Sequence, residues 1–152
     1  MKVLVTFIII SILFFVTKEV NSIDDQQTYP YKLIVQDVIG GPENPQILVI
    51  KEPSLLQEFY AKINMTRKPG LAVPKVNFKK ETIIILCMGL KKTAGYQSKI
   101  NTIEEQEDTI IVYVEEITPA KDDFVPTVIT QPFSVYKIPK KNKKIVFRKK
   151  NN

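Results

Sequence analysis

The sequence predicts a mainly β domain, either a small antiparallel β-sandwich or an open barrel of about seven strands, with one amphipathic helix packed against it. An α+β arrangement is the alternative. Short runs rich in Val, Ile, Tyr and Phe recur between turn signals, and only one segment has helical periodicity. Most connections are short, which favours antiparallel pairing. The predicted strands are 31–38, 46–51, 83–88, 96–103, 109–117, 133–138 and 144–149.

The first residues have the pattern of a secretory signal peptide. Lys2 precedes an apolar run over 3–16, and Val20-Asn21-Ser22 supplies small residues for cleavage. An uncleaved anchor is the alternative, but the run is shorter than the roughly 20 apolar residues of a spanning helix. We expect a secreted or extracytoplasmic protein, at the cell surface or in the periplasm if it is bacterial. The expected organisation is signal peptide 1–22, flexible N-terminal arm 23–30 and single domain 31–150.

The segment 54–64 predicts the helix. Ser54 and Gln57 form a capping box directly after Pro53, which places the helix start at Leu55. Asn64, at the helix end, opens an Asn-Met-Thr sequon and would carry a glycan if the source is eukaryotic. The apolar residues that share one helical face are Leu55, Leu56, Phe59, Tyr60 and Ile63.

The run 83–88 is apolar at every position and is expected in the middle of the core. The loop after it, 91–96, is then held by a buried strand, and binding residues often lie on such loops. The first two strands flank a Gly- and Pro-rich turn at 40–45, and the last two flank a Lys-rich turn at 139–143. Each of these pairs predicts a hairpin, and the C-terminal hairpin would be strongly basic.

The composition of the chain excludes the most common types of catalytic site. The chain has no His and no Trp, which excludes Ser-His-Asp and Cys-His catalysis and the usual zinc sites. The single Cys87 lies in the apolar run and is interpreted as a buried small side chain rather than a nucleophile. The acidic stretch 104–108 lacks the spacing of a calcium loop and is interpreted as a solvated turn. We predict a protein that is not an enzyme and holds no metal or cofactor.

The chain is basic, with 22 Lys and Arg against 16 Asp and Glu and a net charge of +6. Only Arg67 and Arg148 are arginines, so the charge suits weak attraction to anionic surfaces better than specific nucleic-acid recognition. The basic run near the C-terminus predicts an anion-binding face; the alternative is that its lysines protect an edge strand from aggregation. The candidate anion-binding residues are Lys140, Lys141, Lys143, Lys144 and Arg148.

Several segments in order, over about 47–139, resemble the C-terminal domain of the PrcB family, named for a protease complex subunit. They are the helix, Val76-Asn77-Phe78, Thr93-Ala94-Gly95-Tyr96 and Thr130-Gln131-Pro132-Phe133. The family usually has Pro-Thr-Gly-Gly-Tyr in the loop, where this chain has Lys92 and Ala94 instead of Pro and the first Gly. The resemblance implies an extracytoplasmic binding or stabilising module without a known active site, associated in its namesake members with a secreted protease. The same loop is similar to the Thr-x-Gly-Tyr portion of chagasin-type cysteine protease inhibitors, but their Asn-Pro and Trp-containing elements are absent.

These observations predict a partner-binding loop of Lys91, Lys92, Thr93, Ala94, Gly95 and Tyr96, and a secondary loop of Thr130, Gln131, Pro132 and Phe133. Tyr96 would suit a wedge, because Tyr offers a large contact area and a polar tip. The alternative is a tight turn in which Gly95 sets the backbone and Tyr96 packs inward. The predicted function is a secreted protein-binding module, an accessory, stabilising or inhibitor-like partner of an extracytoplasmic protease. The alternative function is surface adhesion to anionic polymers or lipid through the basic C-terminal hairpin.

Overall fold

A computed structural model describes residues 29–150, so the predicted signal peptide and most of the predicted N-terminal arm lie outside the described residues. The described part is mainly β, as predicted. Its helix is α1 (Pro53–Ile63). Its strands are β1 (Lys32–Asp37), β2 (Gln46–Ile50), β3 (Glu81–Cys87), β4 (Gln97–Glu105), β5 (Thr109–Ile117), β6 (Phe133–Pro139) and β7 (Lys144–Lys149).

The strands form two sheets that pack as a sandwich. Sheet A has the order β1-β6-β3-β2 and is antiparallel throughout. Sheet B has the order β4-β5-β7, with β4 antiparallel and β7 parallel to β5. The predicted sandwich with one helix is therefore confirmed, and the sheets do not close into a barrel.

The middle position of β3 explains its uninterrupted apolar sequence. Ile84 and Leu86 belong to the core between the two sheets. Ile83, Ile85 and Cys87 face the opposite core, beneath α1. A strand that is covered on both faces gains from an apolar side chain at every position, and each fully buried Ile contributes roughly 2–3 kcal/mol.

Helix α1 covers the outer face of sheet A, with its start corrected from the prediction. Pro53 takes the first helical position and Glu52 is the N-cap, without a side-chain capping bond. The predicted capping box at Ser54 is wrong, because the fixed φ of Pro53 begins the helix early and leaves Ser54 inside the first turn. Leu55 is 47% exposed, while Leu56, Phe59, Tyr60 and Ile63 form the buried face.

Neither predicted hairpin forms. β1 and β2 lie at opposite edges of sheet A, because β6 and β3 separate them. β6 is buried at nearly every position and needs a neighbour on both sides, whereas β1 and β7 are largely exposed and suit an edge. Residues 140–143 cross between the sheets at the end where β5 also begins, so β7 runs parallel to β5. The two strands of the predicted basic C-terminal hairpin, β6 and β7, therefore belong to different sheets.

The two ends of the sandwich differ in character. We call one the loop end; it carries residues 38–45, 88–96 and 118–132. We call the other the lysine end; its basic residues include Lys32, Lys80, Lys137, Lys140, Lys141, Lys143 and Lys144. α1 runs from the lysine end to the loop end, where Gly40 lies against its last residue, Ile63. No helix within the described residues is long and apolar enough to cross a membrane.

A few polar groups are buried between the sheets. The Ser134 hydroxyl donates to the Ser98 carbonyl at 2.9 Å, and the Ile100 amide donates to the Tyr136 hydroxyl at 3.3 Å. The hydroxyl of Ser98, a residue only 5% exposed, has no hydrogen-bond partner among residues 29–150. These contacts tie β4 to β6 near the loop end.

Candidate functional site

The predicted loop 91–96 is fixed to the loop that precedes β6. Lys91 and Thr130 form an antiparallel bridge, with N–O distances of 2.8 and 2.9 Å. The Thr130 hydroxyl donates to the Thr93 carbonyl at 3.0 Å, and the Ala94 amide donates to the Pro126 carbonyl at 3.0 Å. The two loops therefore form one braced unit, and little conformational entropy would be lost when a partner binds it.

Gly95 sets the turn of this unit. Its φ is +90°, and a Cβ built on it would lie 3.3 Å from Pro119 and 3.4 Å from Val125. Only Gly adopts such a φ without cost. Tyr96 is half-buried, and the Lys91 ammonium lies 5.2 Å from the centre of its ring, within cation–π range. The geometry favours the tight-turn interpretation for Gly95 and leaves Tyr96 partly accessible.

The other loop residues divide by exposure. Lys92 is exposed, while Thr93 and Ala94 are half-buried. Lys92 and Gly95 are thus the two most accessible members of the predicted partner-binding loop.

The secondary loop is mostly inside the fold. Thr130 is 5% exposed, and Pro132 is buried and accepts a hydrogen bond from Met88 at 3.0 Å. The backbone N–H of Gln131 donates to the backbone carbonyl of Val38 at 2.9 Å. Phe133 is 1% exposed and packs edge-on against a helix ring, Phe59, at 5.7 Å. These four residues hold the loop end together, and a direct contact of theirs with a partner stays a prediction.

Sequence reasoning missed a set of exposed apolar side chains at the loop end. We call it the apolar rim; its members are Val38 (49% exposed), Ile39 (57%), Leu90 (43%), Val128 (46%) and Ile129 (67%). The bonds of Gln131 to Val38 and of Lys91 to Thr130 place their segments side by side. The available signal was the pair of apolar dipeptides, Val38-Ile39 and Val128-Ile129, inside segments otherwise typical of loops. Neighbouring exposed apolar groups of this kind mark interaction surfaces.

The candidate anion-binding residues are partly neutralised. Lys141 and Lys143 both pair with Glu105 at 2.7 Å, and their hydrogen bonds hold the pKa of that carboxyl below its ordinary value. Lys140 donates to the carbonyl of Phe78 at 2.8 Å. Lys144 begins β7, but Arg148 lies four residues further along the strand, away from the lysine end. The structure thus brings together four of the five predicted residues, all except Arg148, and places the Glu105 carboxylate among them.

Asn64 has a structural role. Its side-chain amide donates to the Leu71 carbonyl at 2.9 Å, and its side-chain oxygen accepts from the Leu71 amide at 2.8 Å. A glycan would be attached at the nitrogen that makes the first of these bonds. Glycosylation at Asn64 stays a prediction, and it would have to accommodate this contact.

Potential nucleophilic or metal-binding chemistry is limited in the described part. Cys87 is 6% exposed, and burial raises the pKa of its thiol to about 12, so the reactive thiolate is disfavoured. Within residues 29–150, no group of three or more Cys, Asp or Glu side chains is arranged to hold a metal ion. What the geometry offers is a braced, partly apolar surface at the loop end.

Fold and site together define a small two-sheet β domain with its candidate binding loops at one end. Residues 82–139 match the family model described as PrcB C-terminal, which confirms the predicted resemblance to the PrcB family over this segment. The match begins with β3 and ends with β6, so it contains both loops; α1 and Val76-Asn77-Phe78 lie outside it. No curated protein and no solved structure matches the chain. The likeness of the loop to chagasin-type inhibitors stays a prediction.

Proposed function

We propose that this chain is a secreted, non-enzymatic protein-binding subunit that attaches through its loop end to an extracytoplasmic protease. Its role there would be to stabilise or assist the protease, with inhibition as the alternative outcome of the same contact. The PrcB subunit that names the matched family is an accessory component of a protease complex rather than its catalytic one, which supports a binding role.

The observation that carries the proposal is the apolar rim on its braced loops. The rim side chains are between 43% and 67% exposed, although burying an apolar side chain is favourable by roughly 1.5–3 kcal/mol. The bridge between Lys91 and Thr130 holds the segments that carry most of them. A partner that covers this surface would gain the burial without having to order the loops.

Recovery of a binding partner from culture supernatant tests the proposal. We compare the wild-type protein with Leu90→Lys, and use Leu55→Lys as the matched control, because the two leucines are 43% and 47% exposed and Leu55 lies on α1. Mass spectrometry identifies the recovered proteins. We expect a protease in the wild-type sample, reduced about tenfold or more by Leu90→Lys and unchanged by Leu55→Lys.

Loop variants extend the same experiment. Tyr96→Ala removes the accessible part of the ring and should also weaken recovery, and Thr93→Ala tests the half-buried neighbour. Recovery of no protease, or equal recovery with Leu90→Lys, Tyr96→Ala and Leu55→Lys, would contradict the proposed function.

The alternative, adhesion to anionic polymers, rests on the lysine end. Lys32 lies directly opposite Lys137, and the amide of Lys140 bonds the carbonyl of Lys80, so four basic residues are close together. However, Lys137 pairs with Glu81 at 2.8 Å, which lowers the positive charge of this group. If this function holds, retention on heparin falls steeply with salt and is lost in a double variant, Lys32→Gln with Lys140→Gln.

A further inference from the structure

In the described part of the chain, four strands form the edges of the two sheets, and three of them are protected against pairing with another chain. β1 carries Lys32 and Asp37 and a register shift between Leu33 and Val35. β4 carries Lys99, Glu104 and Glu105 and a second register shift. β7 carries Lys144, Arg148 and Lys149. Charges and bulges on an edge strand are the usual obstacles to edge-to-edge association.

β2 has none of these obstacles. Its sequence, Gln46–Ile50, contains no charge and no Pro between the flanking Pro45 and Lys51, and it pairs with β3 in unbroken register. Within residues 29–150, the backbone of β2 makes no hydrogen bond with any segment other than β3. The outward-facing amides and carbonyls of this strand therefore have no partner within the described protein.

The faces of β2 are also incompletely covered. Ile47 and Val49 lie opposite Leu86 and Ile84, on the face that turns toward sheet B, yet neither belongs to the inter-sheet core. Ile47 is 42% exposed. On the other face, α1 starts beside Ile50 and runs away toward β1, so the Gln46 end of the strand is open.

We infer that β2 is the interface of a reversible homodimer, in which the β2 strands of two copies pair antiparallel about a two-fold axis at Leu48. Antiparallel neighbours related by such an axis present the same face on the same side. Ile47 of one copy then lies opposite Val49 of the second, and Leu48 lies opposite Leu48. Each copy thus supplies an apolar neighbour for Ile47 and Val49 of the other, on the face of β2 that is incompletely covered.

Charge complementarity favours a second copy as the occupant. In the register centred on Leu48, Lys51 of one copy comes opposite Pro45 of the other, two residues from Glu43 in the bend that precedes β2. Lys51 and Glu43 are both exposed, and neither has an ion-pair partner within residues 29–150. The long side chain of Lys51 would point toward the carboxylate of Glu43 at the end of the paired strands, and the two-fold axis makes this contact occur twice in the dimer.

The size of the interface sets its strength. Two strands of five residues bury less than the roughly 1,200 Å² of a stable interface. We therefore expect a weak dimer whose population depends on concentration, rather than a permanent one. Because the pairing is closed by a two-fold axis and the remaining edges are protected, association stops at two copies.

Sedimentation of the purified protein over a concentration series tests this inference. The matched variants are Ile47→Lys and Leu33→Lys, since these side chains are 42% and 44% exposed and lie on opposite edge strands of sheet A. We expect the wild type to dimerise with rising concentration and Ile47→Lys to raise the dissociation constant at least tenfold. Leu33→Lys should change it by less than twofold.

A symmetric cross-link gives an independent readout. Leu48→Cys places two thiols across the axis at a separation that a disulfide can span, whereas Leu33→Cys on β1 does not. Mild oxidation should therefore yield a disulfide dimer much faster for Leu48→Cys. The native Cys87 does not interfere, because it is buried.

A protein that stays monomeric up to about 1 mM would overturn the inference. A dimer weakened equally by Ile47→Lys and Leu33→Lys, or equal cross-linking of the two Cys variants, would also overturn it. If the β2 amides were protected from hydrogen exchange only in the presence of a protease, the edge would be assigned to that partner instead. These outcomes are distinct from those at the loop end, so either proposal can fail alone.

Discussion

Replacing Gly95 with Ala should destabilise the loop end by an amount that the geometry predicts. A non-Gly residue at φ +90° costs about 1–2 kcal/mol, because its Cβ crowds the backbone. The new Cβ would also lie 3.3 Å from Pro119 and 3.4 Å from Val125, tight contacts that side chains can relieve with small shifts. We expect a total loss of about 2 kcal/mol, or about 8 °C in Tm for a domain of this size.

Gly89→Ala is the comparison that tests the reasoning. Gly89 has a similar φ of +73°, but its Cβ would lie 2.8 Å from the Glu43 carbonyl and 2.7 Å from the Pro45 ring. Backbone atoms move out of a close contact less easily than side chains do. The free energy of unfolding should therefore fall by at least about 2 kcal/mol more in Gly89→Ala than in Gly95→Ala. Urea unfolding followed by circular dichroism measures both, since the chain has no Trp for fluorescence. Equal losses, or a neutral Gly95→Ala, would refute the argument from φ and close approach.

Three further outcomes are expected. Ser98→Ala should raise the free energy of unfolding by up to about 1 kcal/mol, because it removes a buried hydroxyl without a protein partner; a loss in urea unfolding would mean that the hydroxyl is satisfied. Cys87 should resist alkylation at pH 8 in the native protein and react in urea, as its raised pKa and burial require; rapid native labelling would contradict this. The pKa of Glu105 is lowered by Lys141 and Lys143, so its contribution to stability is complete above the ordinary Glu value of 4.5 and is lost as pH falls through the lower folded value. Glu105→Gln should therefore be less stable than wild type at pH 7, and the difference should vanish in acid; a difference independent of pH would count against the pairing.

Local sequence patterns predicted the elements better than their partners. β5 and β7 have the bounds that were predicted from apolar runs, and β3 lies in the middle of sheet A as its uninterrupted apolar sequence required. Both hairpin predictions were wrong. They were made from the short connections alone, and a short connection allows two successive strands to pair but does not require it. Which strand needs two neighbours depends on burial along its whole length, and for β6 that outweighed its short link to β7.

The candidate site shows the same division. Gly95 was singled out for its ability to adopt a positive φ, and the loop does use it in this way. The apolar rim was missed because apolar residues in a loop are normally expected to be buried, and sequence alone does not reveal which of them are exposed. Thr130 was predicted as part of a partner-contact loop, and its hydroxyl binds the Thr93 carbonyl within the fold, a long-range contact that its local motif does not reveal. A contact of Thr130 with a partner stays a prediction.

The late position of β6 in the chain governs when this protein can fold during synthesis. Among the strands of residues 29–150, five are synthesised before β6; β1 has β6 as its neighbour in that part of the chain, and β3 has one neighbour there until β6 is synthesised. Sheet B likewise waits for β7, which ends at Lys149. Such long-range pairing delays folding until translation is almost complete. A product that stops before Phe133 would expose one whole edge of β3, with its apolar side chains, to aggregation and to proteolysis.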